Sequence, residues 1–184
     1  VMKVRKLREL LLDIVASRRA GQGDQHFDFL AMYLAATDKE GVPFSDNELL
    51  DELMTLIVAG FETSANTLNW VWYLVAKHPD VEQKLIEEAR RRVPTVSDIT
   101  VDHLADMHYT QQVLEETLRL YPPVWLFTRK STEHDALEAY DVPPGTDIYL
   151  SPFSLHRTEH YWKDPETFDP DRFATAVKDG PYFP

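Results

Sequence analysis

The 184-residue sequence contains no cysteine, which excludes disulfides, thiolate zinc sites and thiol nucleophiles within it. Basic residues are outnumbered, 19 Lys and Arg against 31 Asp and Glu, and the resulting net charge of −12 argues against a nucleic-acid partner. There is no run of 18 apolar residues that would span a bilayer, no secretory leader pattern and no internal repeat. What remains is ordinary globular material, 43% hydrophobic and 11% aromatic, enough for one domain with a real core. The sequence opens at Val1 directly in helical pattern without a cap, as an internal cut would.

Apolar periodicity divides the chain. Residues 1–20 predict an amphipathic helix, with Val4, Leu7, Leu10, Leu11, Ile14 and Val15 inward and Lys3, Arg5, Lys6 and Arg8 outward. Gly21-Gln22-Gly23-Asp24 predicts a loop, residues 28–36 a short, mostly buried helix, and residues 38–43 a turn. Ser45 with Glu48 forms a capping box, and Phe44 with Leu49 a hydrophobic staple. Apolar residues then recur at helical spacing, and no proline follows until Pro79. A helix over 46–77 would be roughly 48 Å long at about 1.5 Å per residue.

Pro79 suits the first turn of a second helix that ends near Arg92, with Arg90, Arg91 and Arg92 at its carbonyl end. Residues 94–98 predict a linker, 99–105 a short helix or turn, and 109–121 a helix stopped by Pro122-Pro123. Short β-type runs follow at 124–130, 137–142 and 146–150. From Ser151 onward proline recurs at 152, 165, 170, 181 and 184, which predicts a long irregular segment. The expectation is one mainly α domain over 1–184, incomplete, with a helical part to 121, small β-sheet pieces over 122–150 and the irregular segment over 151–184.

Several positions carry chemistry. Mid-helix, Ala59-Gly60-Phe61-Glu62-Thr63-Ser64 interrupts an apolar run. Glycine costs roughly 1 kcal/mol there, and a threonine hydroxyl can bond back and open the helix locally. A carboxylate on a buried helix is expensive unless used, while a helix end or a solvent-facing turn is the plain alternative. Glu116 and Arg119 lie three apart on one helix face beside the apolar arc of Val113, Leu114, Thr117, Leu118 and Leu120. An exposed pair of this kind is worth about 0.2–0.5 kcal/mol, whereas a buried one requires a larger network. Arg172, between Phe168 and Phe173, could supply a second guanidinium to Glu116. His156-Arg157-Thr158-Glu159-His160 matches a zinc-peptidase pattern, but Pro152 and Pro165 bracket it and no helical periodicity presents both histidines.

Taken as an ordered set, these pieces resemble the cytochrome P-450 superfamily of haem-thiolate monooxygenases. Residues 59–64 resemble its oxygen-activation motif, Glu116-Thr117-Leu118-Arg119 its Glu-x-x-Arg helix, and residues 162–173 the segment bearing its second arginine, with 151–157 leading in. The likeness runs from about Ser45 to the end. It implies a partial P-450 fold and the cofactor haem, with dioxygen, an apolar small-molecule substrate and an electron-donating reductase or ferredoxin as partners. Glu62 and Thr63 are implied as the proton-delivering pair, and Ala59, Gly60 and Arg129 as cofactor contacts, a surface arginine being the competing reading of Arg129. Glu116, Arg119 and Arg172 are implied as the structural network, and Val124, Trp125 and Leu126 as substrate-pocket residues.

The departure is the absent cysteine, the family's iron ligand, so the chain reads as a C-terminal-half fragment ending just before that loop and inactive alone. The expected location is cytoplasmic, an anchor in a missing part remaining compatible with it. The alternative function is a non-catalytic helical interaction protein that keeps the scaffold without the haem site, and a zinc hydrolase through His156 and His160 is a third.

Overall fold

Ser45 starts the longest element. Its main-chain N–H donates to Glu48 Oε2 at 2.8 Å while the Glu48 N–H donates to Ser45 Oγ at 3.4 Å, closing the capping box. Helix α3 (Asp46–Lys77) then runs for 32 residues. The computed structural model describes residues 2–21, 28–93, 95 and 99–174, with side chains from residue 5 onward, so residues 22–24 of the loop, most of the 94–98 linker and the last ten residues lie outside the described residues. Contrary to the expected local opening, α3 stays α-helical through Gly60 and Thr63. The hydroxyls of Thr55 and Thr67 donate to the Asp51 and Thr63 carbonyls four residues back, at 2.8 and 2.9 Å, without breaking the ladder.

The chain divides into two compact units, Val1–Glu62 and Thr63–Pro184, and α3 contributes to each. In the first, α1 (Met2–Arg19) and α2 (Phe29–Ala35) pack with the start of α3. Val15, Leu30 and Leu49 form its buried cluster, against which Tyr33, Leu34, Phe44 and Leu53 pack. The stripe buried on α1 is narrower than its apolar pattern suggests: Leu11 and Val15 are buried, one turn apart, whereas Leu10 and Ile14 are exposed. On α2 Leu30 is buried but Phe29 and Met32 are exposed, a correction to the mostly buried reading, since two turns of helix present one inward stripe. Asp28 caps α2 through Ala31 N at 2.9 Å and holds Arg18 by two bonds of 3.2 and 2.9 Å.

In the second unit, the end of α3 packs with α4 (Pro79–Arg92) and α6 (His108–Leu120), with the short α5 (Val101–Ala105) between them in sequence. Leu74, Val75, Val81, Val113, Leu120 and Phe168 form its core. The cap position of α6 is Met107, whose side chain makes no capping bond. Glu88 of α4 caps it instead, accepting from Tyr109 N at 2.7 Å, Thr110 N at 2.8 Å and Thr110 Oγ1 at 2.8 Å. Burial would raise the Glu88 carboxyl, but these three bonds outweigh it and leave it below the usual carboxylate range.

After Pro122-Pro123, β1 (Phe127–Lys130) pairs antiparallel with β4 (Asp147–Leu150), Arg129 opposite Ile148. The 137–142 run is not one strand. Glu138 takes a left-handed φ of 52° and reverses the chain, giving a hairpin of β2 (Asp135–Leu137) and β3 (Tyr140–Val142). The proline-rich segment carries a single helical turn, α7 (Pro152–Leu155), and a 3₁₀ turn (Pro170–Phe173). Among the described residues no helix is long and apolar enough to cross a membrane.

Candidate functional site

Glu116 and Arg119 sit in the last two turns of α6, both with side chains fully buried. Their contact is bidentate: Arg119 Nε donates to Glu116 Oε2 at 2.6 Å and Nη2 to Oε1 at 2.8 Å. The guanidinium's remaining N–H groups reach the irregular segment, Nη1 donating to the carbonyls of His156 (2.7 Å) and Pro165 (2.8 Å), and Nη2 to that of Thr167 (3.2 Å). All five guanidinium donors are thereby used, which a buried arginine requires. Glu116 Oε1 also accepts the Asp169 N–H at 2.9 Å and Arg172 Nε at 3.3 Å. Arg172 in turn donates to the Lys163 carbonyl and, at 2.8 Å, to that of Asp164, whose φ of 47° turns its backbone out of the ordinary range.

Aromatic rings pack against this knot and against the end of α6. The Trp162 ring, buried, lies 5.1 Å from the Arg119 guanidinium carbon, and the His156 ring meets it edge-on at 6.1 Å. His156 itself is buried, and its Nδ1 lies 3.2 Å from the Arg119 main-chain oxygen. Burial pushes its imidazole below the usual range, and the Arg119 and Arg157 charges push the same way against the hydrogen bond to Arg119 O. Tyr121, just past the end of α6, stacks flat on Trp70 of α3, centroids 3.8 Å apart and planes 5° from parallel. A cavity of about 240 Å³ opens beside them, lined by Asn66, Trp70, Tyr121, Trp125 and Phe153 among others.

The remaining sequence-singled residues are dispersed. Ala59, Gly60 and Glu62 are exposed on α3 within the first unit, and a Cβ added to Gly60 would meet nothing within 4 Å. Thr63, half-buried, begins the second unit. Glu62 is thus a solvent-facing carboxylate in this structure, not the buried one that an apolar helix suggests. Val124 and Trp125 are exposed and Leu126 half-buried after the double proline. Arg129 is exposed on β1, its Nη1 donating to Thr128 O at 3.1 Å and its guanidinium carbon 5.1 Å from the Phe127 centroid.

The His-x-x-Glu-His pattern does not assemble: His156 is buried against Arg119 while His160 is exposed with its ring on Tyr161. Among the described residues no three His, Asp or Glu side chains gather to hold a metal. Sequence reasoning gave no role to Glu88 or Trp162, and it noted His156 only within a zinc-peptidase pattern that the bracketing prolines already spoke against. Glu88 gives no local signal, because its partners lie 21 and 22 residues away.

The family model of cytochrome P450 matches residues 1–184. The chain is 39% identical over 188 residues to "Cyclooctatin synthase" of Streptomyces melanosporofaciens, covering 97% of this chain and 40% of that protein. It is 35% identical over 173 residues to "Pentalenene oxygenase" of Streptomyces avermitilis, covering 92% and 37%. The solved structure described as retinoic acid bound cyanobacterial CYP120A1 superposes with a TM-score of 0.84 at 30% identity, covering 97% of this chain and 40% of that one. This chain belongs to the cytochrome P450 family, and its mainly helical architecture with small antiparallel sheets is a part of that family's fold. It spans about two fifths of the length of these two curated relatives.

Haem is that family's cofactor, and the chain fits it on some counts. Within the second unit, the exposed apolar Val124 and Trp125 and the exposed Arg129 cation suit an apolar ring system with acidic edges. The thiolate ligand has no donor here, since the 184 residues include no cysteine.

Proposed function

We propose that the whole protein of which these residues are a part is a haem-dependent monooxygenase. It inserts one atom of dioxygen into an apolar organic substrate, with electrons from a reductase or a ferredoxin. The observation carrying this reading is the buried knot of Glu116, Arg119 and Arg172, which ties α6 to the irregular segment through five hydrogen bonds. Two relatives named as oxygenases and monooxygenases, and a structural neighbour described as retinoic-acid-bound, support the reaction class and the apolar character of the substrate.

Haem, when bound, would supply the redox chemistry of the reaction, and its thiolate ligand would come from outside these residues. Each residue here has a narrower task. Glu62, facing solvent, would collect protons, and the half-buried Thr63 hydroxyl next to it in sequence would pass them on, so that protons arrive at a controlled point. Ala59 and Gly60 leave room beside the helix for the small reactant. Arg129 neutralises a cofactor carboxylate. Val124, Trp125 and Leu126 give the substrate an apolar wall. Glu116, Arg119 and Arg172 would hold the irregular segment against α6.

The uninterrupted protein, expressed and reduced under carbon monoxide, is expected to give the red-shifted Soret band of thiolate ligation and to oxidise apolar substrates. The 184-residue chain given haem is expected to give no such band and no turnover. A thiolate band from the chain alone, or none from the uninterrupted protein, would overturn this assignment.

A further inference from the structure

His156 answers a shortage created by the double proline. The carbonyl of Arg119, in the last turn of α6, would ordinarily accept from the N–H four residues on, or from the one three residues on in a tightened end. Those residues are Pro123 and Pro122, and neither has an N–H to give. His156 Nδ1 stands 3.2 Å from that carbonyl oxygen. An oxygen of this kind can only accept, so Nδ1 carries the imidazole proton. The exchange is reciprocal, because Arg119 Nη1 donates to the His156 main-chain oxygen at 2.7 Å. Two residues 37 apart in sequence are thus locked backbone to side chain in both directions.

We propose that His156 is a positioning residue for Arg119: its Nδ1–H replaces the donor that Pro123 lacks, and so orients the last turn of α6 from which the guanidinium reaches Glu116, Pro165 and Thr167. The lowered imidazole pKa agrees with this role, since burial and the Arg119 and Arg157 charges keep the ring neutral. Glu116, the carboxylate nearest the pair, is occupied by Arg119 and Arg172. The proposal concerns the chain alone and needs no haem, so it stands or falls apart from the oxygenase reading.

The test is NMR on the ¹⁵N-labelled 184-residue chain with H156N and H156L beside it. Imidazole nitrogen shifts are expected to report the Nδ1-protonated tautomer at neutral pH, and an Nε2-protonated ring would overturn the proposal. Asparagine places an amide N–H near the position of Nδ1, whereas leucine fills similar space without a donor. Exchange of the Arg119 Nε–H is expected to rise about tenfold or more in H156L, or H156L to fail to fold, and to stay within about threefold of the parent in H156N. An H156N chain as exchange-prone or as unfolded as H156L, or an H156L chain with full protection, overturns the proposal.

Discussion

The carboxylate of Glu88 on α4 accepts the main-chain N–H of Tyr109 on α6 at 2.7 Å, across 21 residues of sequence. With Met107 at the cap position unable to accept, α6 borrows its N-terminal cap from another helix. A charged acceptor is also the better one at the positive end of a helix.

Replacing Glu88 by alanine removes three hydrogen bonds from a buried carboxylate and leaves two main-chain donors without their acceptor. The expected loss is about 2–3 kcal/mol, read from urea unfolding of the chain. A loss below ~0.5 kcal/mol would mean that water caps α6 equally well.

Glu116→Ala strands a buried guanidinium, and the expected cost is about 3–5 kcal/mol. Arg119→Lys should be nearly as harmful, because an ammonium cannot span Glu116, His156, Pro165 and Thr167 together. Cooperative unfolding that survives both changes unaltered would contradict the burial assigned to the pair.

Acid should weaken the second unit in two stages. His156 has a folded pKa below its ordinary value, so as pH falls through the ordinary imidazole range the unfolded chain takes up a proton that the folded one refuses. Its stabilising contribution is complete above that range and lost on the way down to the folded value. The Glu88 pKa is likewise depressed, so its contribution is present above the ordinary carboxylate range and disappears as pH drops through the lower folded value. Urea midpoints measured against pH should show both steps, with H156N flattening the upper one and E88Q the lower.

Gly60→Ala should stabilise the isolated chain by roughly 0.5–1 kcal/mol, because the helix gains a better former and the added Cβ meets nothing within 4 Å. In the uninterrupted protein the same methyl should lower turnover, if Gly60 leaves room for dioxygen. Destabilisation of the isolated chain by G60A would show that the space is not open.

The bounds of α3 and α4 were legible because their signals are local: a capping box at Ser45, Pro79 in a first turn, an uninterrupted apolar period. The Glu116–Arg119 contact was legible for the same reason, two residues three apart on one helix face. Arg172 was anticipated as a possibility, from its place between two anchoring phenylalanines. Glu88 and His156 were not legible, since each acts on a helix end far away in sequence, and exposure of Leu10 and Ile14 depends on how narrow a face the neighbouring helices cover. The turn at Glu138 was hidden because its left-handed backbone falls on a residue with no special liking for it.

Arg119 finds its furthest acceptor 48 residues downstream, at Thr167. On a ribosome adding about 5–20 residues per second, roughly 2–10 s separate the emergence of the guanidinium from that of the carbonyl that completes its set. During that interval α6 carries a cation whose destination has not yet been made, so the buried knot cannot close before the ribosome has passed Thr167.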